Sequence, residues 1–128
     1  AEGTVEVERM AAVAKGYGLT VSAVKHSGKK RAQQTAEIFG RVLHPSGGVE
    51  AVEGLAPMDD VTAFPVDGGR DEMLVGHLPF MEKLTAHLTA GDADRAPVFK
   101  FQNGGIVCLK QGEQEGWYIA WALMPHIP

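Results

Sequence analysis

His77 stands in the segment Met73-Leu74-Val75-Gly76-His77-Leu78-Pro79. Three apolar residues suited to a buried strand run into a glycine and then an imidazole. Pro79 opens a helical pattern in which Phe80, Met81, Leu84 and Leu88 share one side. The spacing predicts a strand whose carboxyl end presents His77 beside a helix N-terminus. Unpaired backbone N–H groups and the helix dipole converge on such an edge, which makes it a place for an anion. A second segment, Ser27-Gly28-Lys29-Lys30-Arg31-Ala32-Gln33-Gln34-Thr35-Ala36, has the same strand-then-helix form and adds cations. In the first turn of a helix, cations are disfavoured by roughly 0.3–1 kcal/mol each, and a bound anion reverses that sign. Arginine suits a phosphoryl group better than lysine, because its planar fork binds two oxygens at once. Each segment has a plainer explanation: a solvated basic patch around Arg31, a hydrogen-bonded structural histidine at 77. Two strand ends facing one crevice favour a phosphoryl site held by Arg31 and His77.

The remaining polar residues divide into caps and pocket walls. Ser27 is expected to cap the second helix first and to touch a ligand second. His26, at the same strand end, either lines the site or closes the sheet. Asp59 and Asp60 come after Pro57 at a helix start, where the dipole favours carboxylates; otherwise they border the substrate pocket. His44, His87 and His126 have no metal-ligand spacing, and the single cysteine, Cys108, offers no pair for zinc. No metal and no cofactor is expected. Cys108 lies in an apolar run, Ile106 to Leu109, and reads as a packed thiol.

The elements that must position these groups are set by periodicity. Val7, Met10, Ala11 and Ala14 predict a helix over residues 4–15, stopped at Gly16-Tyr17-Gly18. Leu19 to Val24 reads as a strand, residues 28–39 as a helix ended by Gly40, and Val49 to Val52 as a short strand. A short helix is expected near 58–64, a strand over Met73 to Val75, and a helix from Pro79 to about Ala90. The last third is β-rich at Val98 to Phe101, Ile106 to Leu109 and Trp117 to Leu123, with Gln111 to Gly116 joining the last two as a hairpin. Strands alternating with helices predict an α/β three-layer sandwich: a mostly parallel central sheet flanked by helices, with a C-terminal antiparallel hairpin at its edge.

Composition bounds the rest. The 128 residues suffice for one domain, 1–128, with a real core. Apolar residues make up 45% and charged residues 22%, the proportions of a globular protein. A net charge of −4 argues against bulk attraction to nucleic acid or membrane. Lys25, Lys29, Lys30 and Arg31 therefore look placed against an acidic background. A single cysteine fits a reducing compartment, no signal segment opens the chain, and no apolar run approaches a membrane span, so a cytoplasmic location is the default expectation.

Taken in order, these residues resemble the histidine phosphatase superfamily, which is phosphoglycerate mutase-like, and within it the small SixA-like phosphohistidine phosphatase branch. HSGKKRAQQTAEIF (26–39) is similar to the family segment in which the arginine of an RAxQTA motif binds phosphate. VGHLPFMEKL (75–84) is similar to the second-histidine segment, FQNGGIVCLKQGEQEGWYIAWALMP (101–125) to the closing hairpin, and LAPMDDV (55–61) to the short acidic segment that replaces an inserted lid. The family's Arg-His-Gly motif, whose histidine is the nucleophile, occurs nowhere in these residues. AEGTVEVERM (1–10) resembles the family segment that comes after the first strand and catalytic loop, so the chain is expected to lack both. The resemblance implies a phosphatase acting on a phosphohistidine-bearing phosphotransfer or signalling protein through a phosphohistidine intermediate, without metal. Arg31, His77 and Ser27 would hold the phosphoryl group, and His26, Asp59 and Asp60 would line the pocket. A catalytically inactive phosphoryl-binding module and a hydrolase of small phosphoesters are the alternatives.

Overall fold

A computed structural model describes residues 2–114 and 116–126 of the chain. Helix α1 (Glu2–Gly16) leads into strand β1 (Ala23–His26) and helix α2 (Lys30–Leu43). Strand β2 (Val49–Ala51), a 3-10 turn (Val61–Ala63), strand β3 (Glu72–Val75) and helix α3 (Phe80–Ala90) come next, and β4 (Ile106–Gln111) and β5 (Trp117–Leu123) close the chain. The β1, β2 and β3 strands form a parallel sheet in the order β2-β1-β3, and β4 and β5 form an antiparallel hairpin. The architecture is mixed α/β, as the alternating pattern implies. The hairpin is a two-stranded sheet of its own, with no ladder to β3 among the described residues.

Central β1 explains why the two strand ends meet. It pairs with β2 through Val24–Val49 and with β3 through Val24–Met73 and His26–Val75. Parallel register at His26–Val75 brings the next residues of both strands, Ser27 and Gly76-His77, to the same sheet edge. Apolar residues of β3 then split between two cores. Met73 and Val75 pack with Val24, Ala36 and Phe39 beneath α1 and α2, while Leu74 packs with Leu55, Phe80 and Leu84 beneath α3. That alternation with period two is what a strand covered on both faces requires. Ile106 of β4 joins the first of these cores.

Several expected boundaries shift. The first strand begins at Ala23 rather than Leu19, because β1 is set by its ladder to β2 and β3 and residues 19–22 carry no ladder partner there. Gly40 does not end α2, which runs on to Leu43 and closes at His44 in the left-handed region, φ 51°. The glycine serves packing instead: a Cβ there would collide with Val49 Cγ2 on the neighbouring strand. The helix near 58–64 shrinks to the 3-10 turn Val61–Ala63, capped by Asp60. Val98 to Phe101 forms no strand; Phe99 and Phe101 meet edge to face at 5.6 Å, and the Phe101 N–H donates to Glu82 Oε2 at 3.2 Å, on α3. The hairpin joins at Gly112 and Gly116, whose backbones bond at 2.9 Å; Glu115 of the expected loop lies outside the described residues.

Candidate phosphoryl site

The turn after β1 is built from its own backbone. The His26 carbonyl accepts the Val52 N–H at 2.8 Å, which fixes the strand end against β2. Gly28 adopts φ 87°, a region open to glycine at little steric cost, and reverses the chain toward α2. The Gly28 N–H donates to His26 Nδ1 at 3.1 Å, and the His26 ring is buried. His26 thus closes the strand end from within and keeps Nδ1 as an acceptor. Lys29 occupies the helix N-cap position with no side-chain cap bond. Ser27 is therefore not the cap residue of α2; its Oγ accepts the Lys29 N–H at 3.3 Å in a turn just ahead of the helix.

The stronger bond of Ser27 reaches across the sheet edge: its Oγ lies 2.7 Å from His77 Nε2. The two segments singled out by residue type are therefore in direct contact. Gly76 packs closely on its other side, since a Cβ there would lie 2.5 Å from Met81 Cε and 3.4 Å from the Leu55 carbonyl. Burial pushes the His77 pKa below its ordinary value of 6.5, and the nearby charges of Lys29 and Arg31 push it the same way. The neutral form of the imidazole is favoured, and the ring sits in the field of both cations. Lys29, Lys30 and Arg31 are exposed, and among the described residues none of their side chains makes an ion pair or a hydrogen bond. The first turn of α2 has no acidic residue. Three uncompensated cations, a helix N-terminus and a neutral imidazole leave net positive potential at this edge, to which a tetrahedral dianion is the natural complement.

Lys25 departs from the expected cationic cluster. Its Nζ lies 2.7 Å from Glu72 Oε2 with both side chains about four-fifths buried, so its charge is neutralised within the sheet. Asp59 and Asp60 stand apart as well. Asp59 accepts the Ala56 N–H, and Asp60 accepts both the Thr62 hydroxyl and N–H, bonds that hold the Asp60 carboxyl below its usual range. Both line an open cleft of about 490 Å³ with Glu53, Gly54, Ala63, Phe64 and Pro65. Arg31, Ser27 and His77 do not line it, and its three carboxylates disfavour an anion. This cleft is thus separate from the cationic edge. No group of three or more metal-ligating side chains occurs among the described residues. Burial raises the Cys108 thiol pKa, as befits a packed cysteine.

Sequence reasoning missed the Ser27–His77 bond and the Lys25–Glu72 pair. The first was within reach, because a strand-end serine and a strand-end histidine on adjacent parallel strands must lie close. The second depends on which strand neighbours β1, and no local pattern carries that.

No family model and no curated protein matches the chain. Solved structures do. The protein histidine phosphatase SixA complexed with tungstate superposes with a TM-score of 0.82 at 27% identity, covering 98% of this chain and 82% of that one. A protein assigned as the phosphohistidine phosphatase SixA of Agrobacterium tumefaciens gives 0.73 at 21% identity, covering 98% and 81%. The chain has a SixA-like fold.

Proposed function

We propose that the protein is a metal-independent phosphohistidine phosphatase acting on a phosphoprotein, with Arg31, His77 and Ser27 holding the phosphoryl group. The observation that carries this reading is the meeting of Ser27 and His77, 2.7 Å apart, near Arg31, which has no ion pair among the described residues. The likeness to a tungstate-bound protein histidine phosphatase supports it, since tungstate is a tetrahedral oxyanion of phosphate shape. In the reaction a histidine from an Arg-His-Gly segment ahead of α1 attacks phosphorus in line. The P–N bond to the substrate histidine breaks, the departing nitrogen takes a proton, and water then hydrolyses the enzyme's phosphohistidine to inorganic phosphate. Arg31 and His77 neutralise the equatorial oxygens as charge spreads. Because the leaving nitrogen is readily protonated, no strong carboxylic acid is required, which suits Asp59 and Asp60 being held in local caps.

The same reading puts the first strand between β3 and β4. Each of these strands has a ladder on one edge only among the described residues, and Met73, Val75 and Ile106 share one core, so a strand between them would join both sheets. The test is hydrolysis of a phosphohistidine protein by a chain carrying such a segment. Arg31→Ala or His77→Ala should each lower turnover about 10²–10³-fold. Unchanged turnover in both variants would falsify the assignment. The alternative is a phosphoryl-binding module without turnover. Phosphate binding with no hydrolysis by the segment-bearing chain would select it.

A further inference from the structure

His77 has a bonding partner that decides more than its position. Its Nε2 is aimed at Ser27 Oγ, and through it at the N-terminus of α2, where the Lys29 N–H already occupies one acceptor site of the hydroxyl at 3.3 Å. A neutral imidazole can present either an N–H or a lone pair in that direction. The surroundings choose. The backbone N–H of Lys29, the positive end of the helix dipole and the charges of Lys29 and Arg31 all repel a donor hydrogen and favour a lone pair. Among the described residues, the charged groups acting on the ring are these two cations; Asp59 and Asp60, on the loop before the 3-10 turn, bind local N–H and hydroxyl donors instead.

We propose that Ser27 is a positioning residue for His77: its hydroxyl donates to Nε2, fixes the ring as the Nδ1–H tautomer and stands in the place that an incoming phosphoryl oxygen takes. An anion inverts the local field, so Nε2 then becomes a donor, the ring takes up a proton and the hydroxyl rotates toward the anion. Binding is thereby coupled to proton uptake at one nitrogen. The tautomer of the free ring stands on the Ser27–His77 contact and the cations around it; the response to an anion rests on the proposed phosphoryl site.

The experiment is ¹⁵N long-range correlation spectroscopy of the histidine rings in the 128-residue chain, in wild type, Ser27→Ala and Ser27→Thr, without and with inorganic phosphate. Without phosphate, at a pH about one unit above the ordinary histidine value, wild type should show His77 with a protonated Nδ1 and an unprotonated Nε2. Ser27→Ala should shift population to the Nε2–H tautomer, and Ser27→Thr should restore the wild-type pattern. Adding phosphate should convert wild-type His77 to the doubly protonated ring. A wild-type ring already in the Nε2–H form overturns the proposal whether or not the variants fold, as does a Ser27→Ala spectrum identical to wild type. A correct free tautomer with no response to phosphate overturns the proton coupling and counts against the phosphoryl site, while leaving the positioning role of Ser27 in place.

Discussion

A partly buried imidazole near two cations is penalised when it takes up a proton. His77 has its pKa lowered from 6.5 by burial, Lys29 and Arg31. The unfolded chain therefore holds more protons at this residue than the folded one in the window below that value. Stability contributed by the neutral ring is fully present above pH 6.5 and is lost as pH falls through the lowered value. Thermal melts between about pH 7.5 and about pH 5 should show a decline that is smaller in His77→Gln, and phosphate should reduce the decline in wild type. A decline equal in both proteins would place the acid sensitivity elsewhere. The placement of Arg31 in a basic first turn and of His77 at a strand end was legible in the sequence, because both patterns are set locally. His26 was not, since its choice between lining the site and closing the sheet depends on the rotamer that lets Nδ1 take the Gly28 N–H.

At the scale of elements, the candidate site depends on how α2 and α3 lie on the sheet. Gly40 lets α2 approach β2, with no room for a Cβ against Val49. Gly40→Ala should cost about 1–3 kcal/mol, the range for overpacking a close contact. Pairing it with Val49→Ala should recover part of that loss in denaturant melts; additive losses would mean that the contact is not the cause. Phe80, fully buried where α3 meets the 3-10 turn, packs edge to face on Phe64 at 6.1 Å. Phe80→Ala should cost about 3–5 kcal/mol, read as a lower denaturation midpoint at an unchanged slope. Periodicity located α1, α3 and both hairpin strands to within a few residues, because their faces are decided locally. It misplaced the end of α2, where a glycine looks like a stop until the neighbouring strand is known. It also took Val98 to Phe101 for a strand, where two aromatic rings pack on each other instead.

At the scale of the whole molecule, two sheets lie side by side without a shared ladder among the described residues. The alternation of strands and helices made the sandwich legible, but the order β2-β1-β3 arises from long-range pairing that no local pattern encodes. Amides of β3 directed away from β1 should exchange with solvent faster than those of β1, which has partners on both sides. In a chain extended by a strand and an Arg-His-Gly loop, the same β3 amides should gain protection and the melting temperature should rise. Unchanged exchange there would remove the inserted-strand part of the proposal. No helix among the described residues is long and apolar enough to cross a membrane.

The most direct measurement is a titration of the 128-residue chain with inorganic phosphate, with nuclear magnetic resonance detection at the Arg31 guanidinium and the His77 ring. Both groups should shift together along one saturating curve, and Arg31→Ala should abolish the response at His77. Saturable shifts at Asp59 and Asp60 with none at Arg31 and His77, or independent curves for those two, would contradict a shared phosphoryl site.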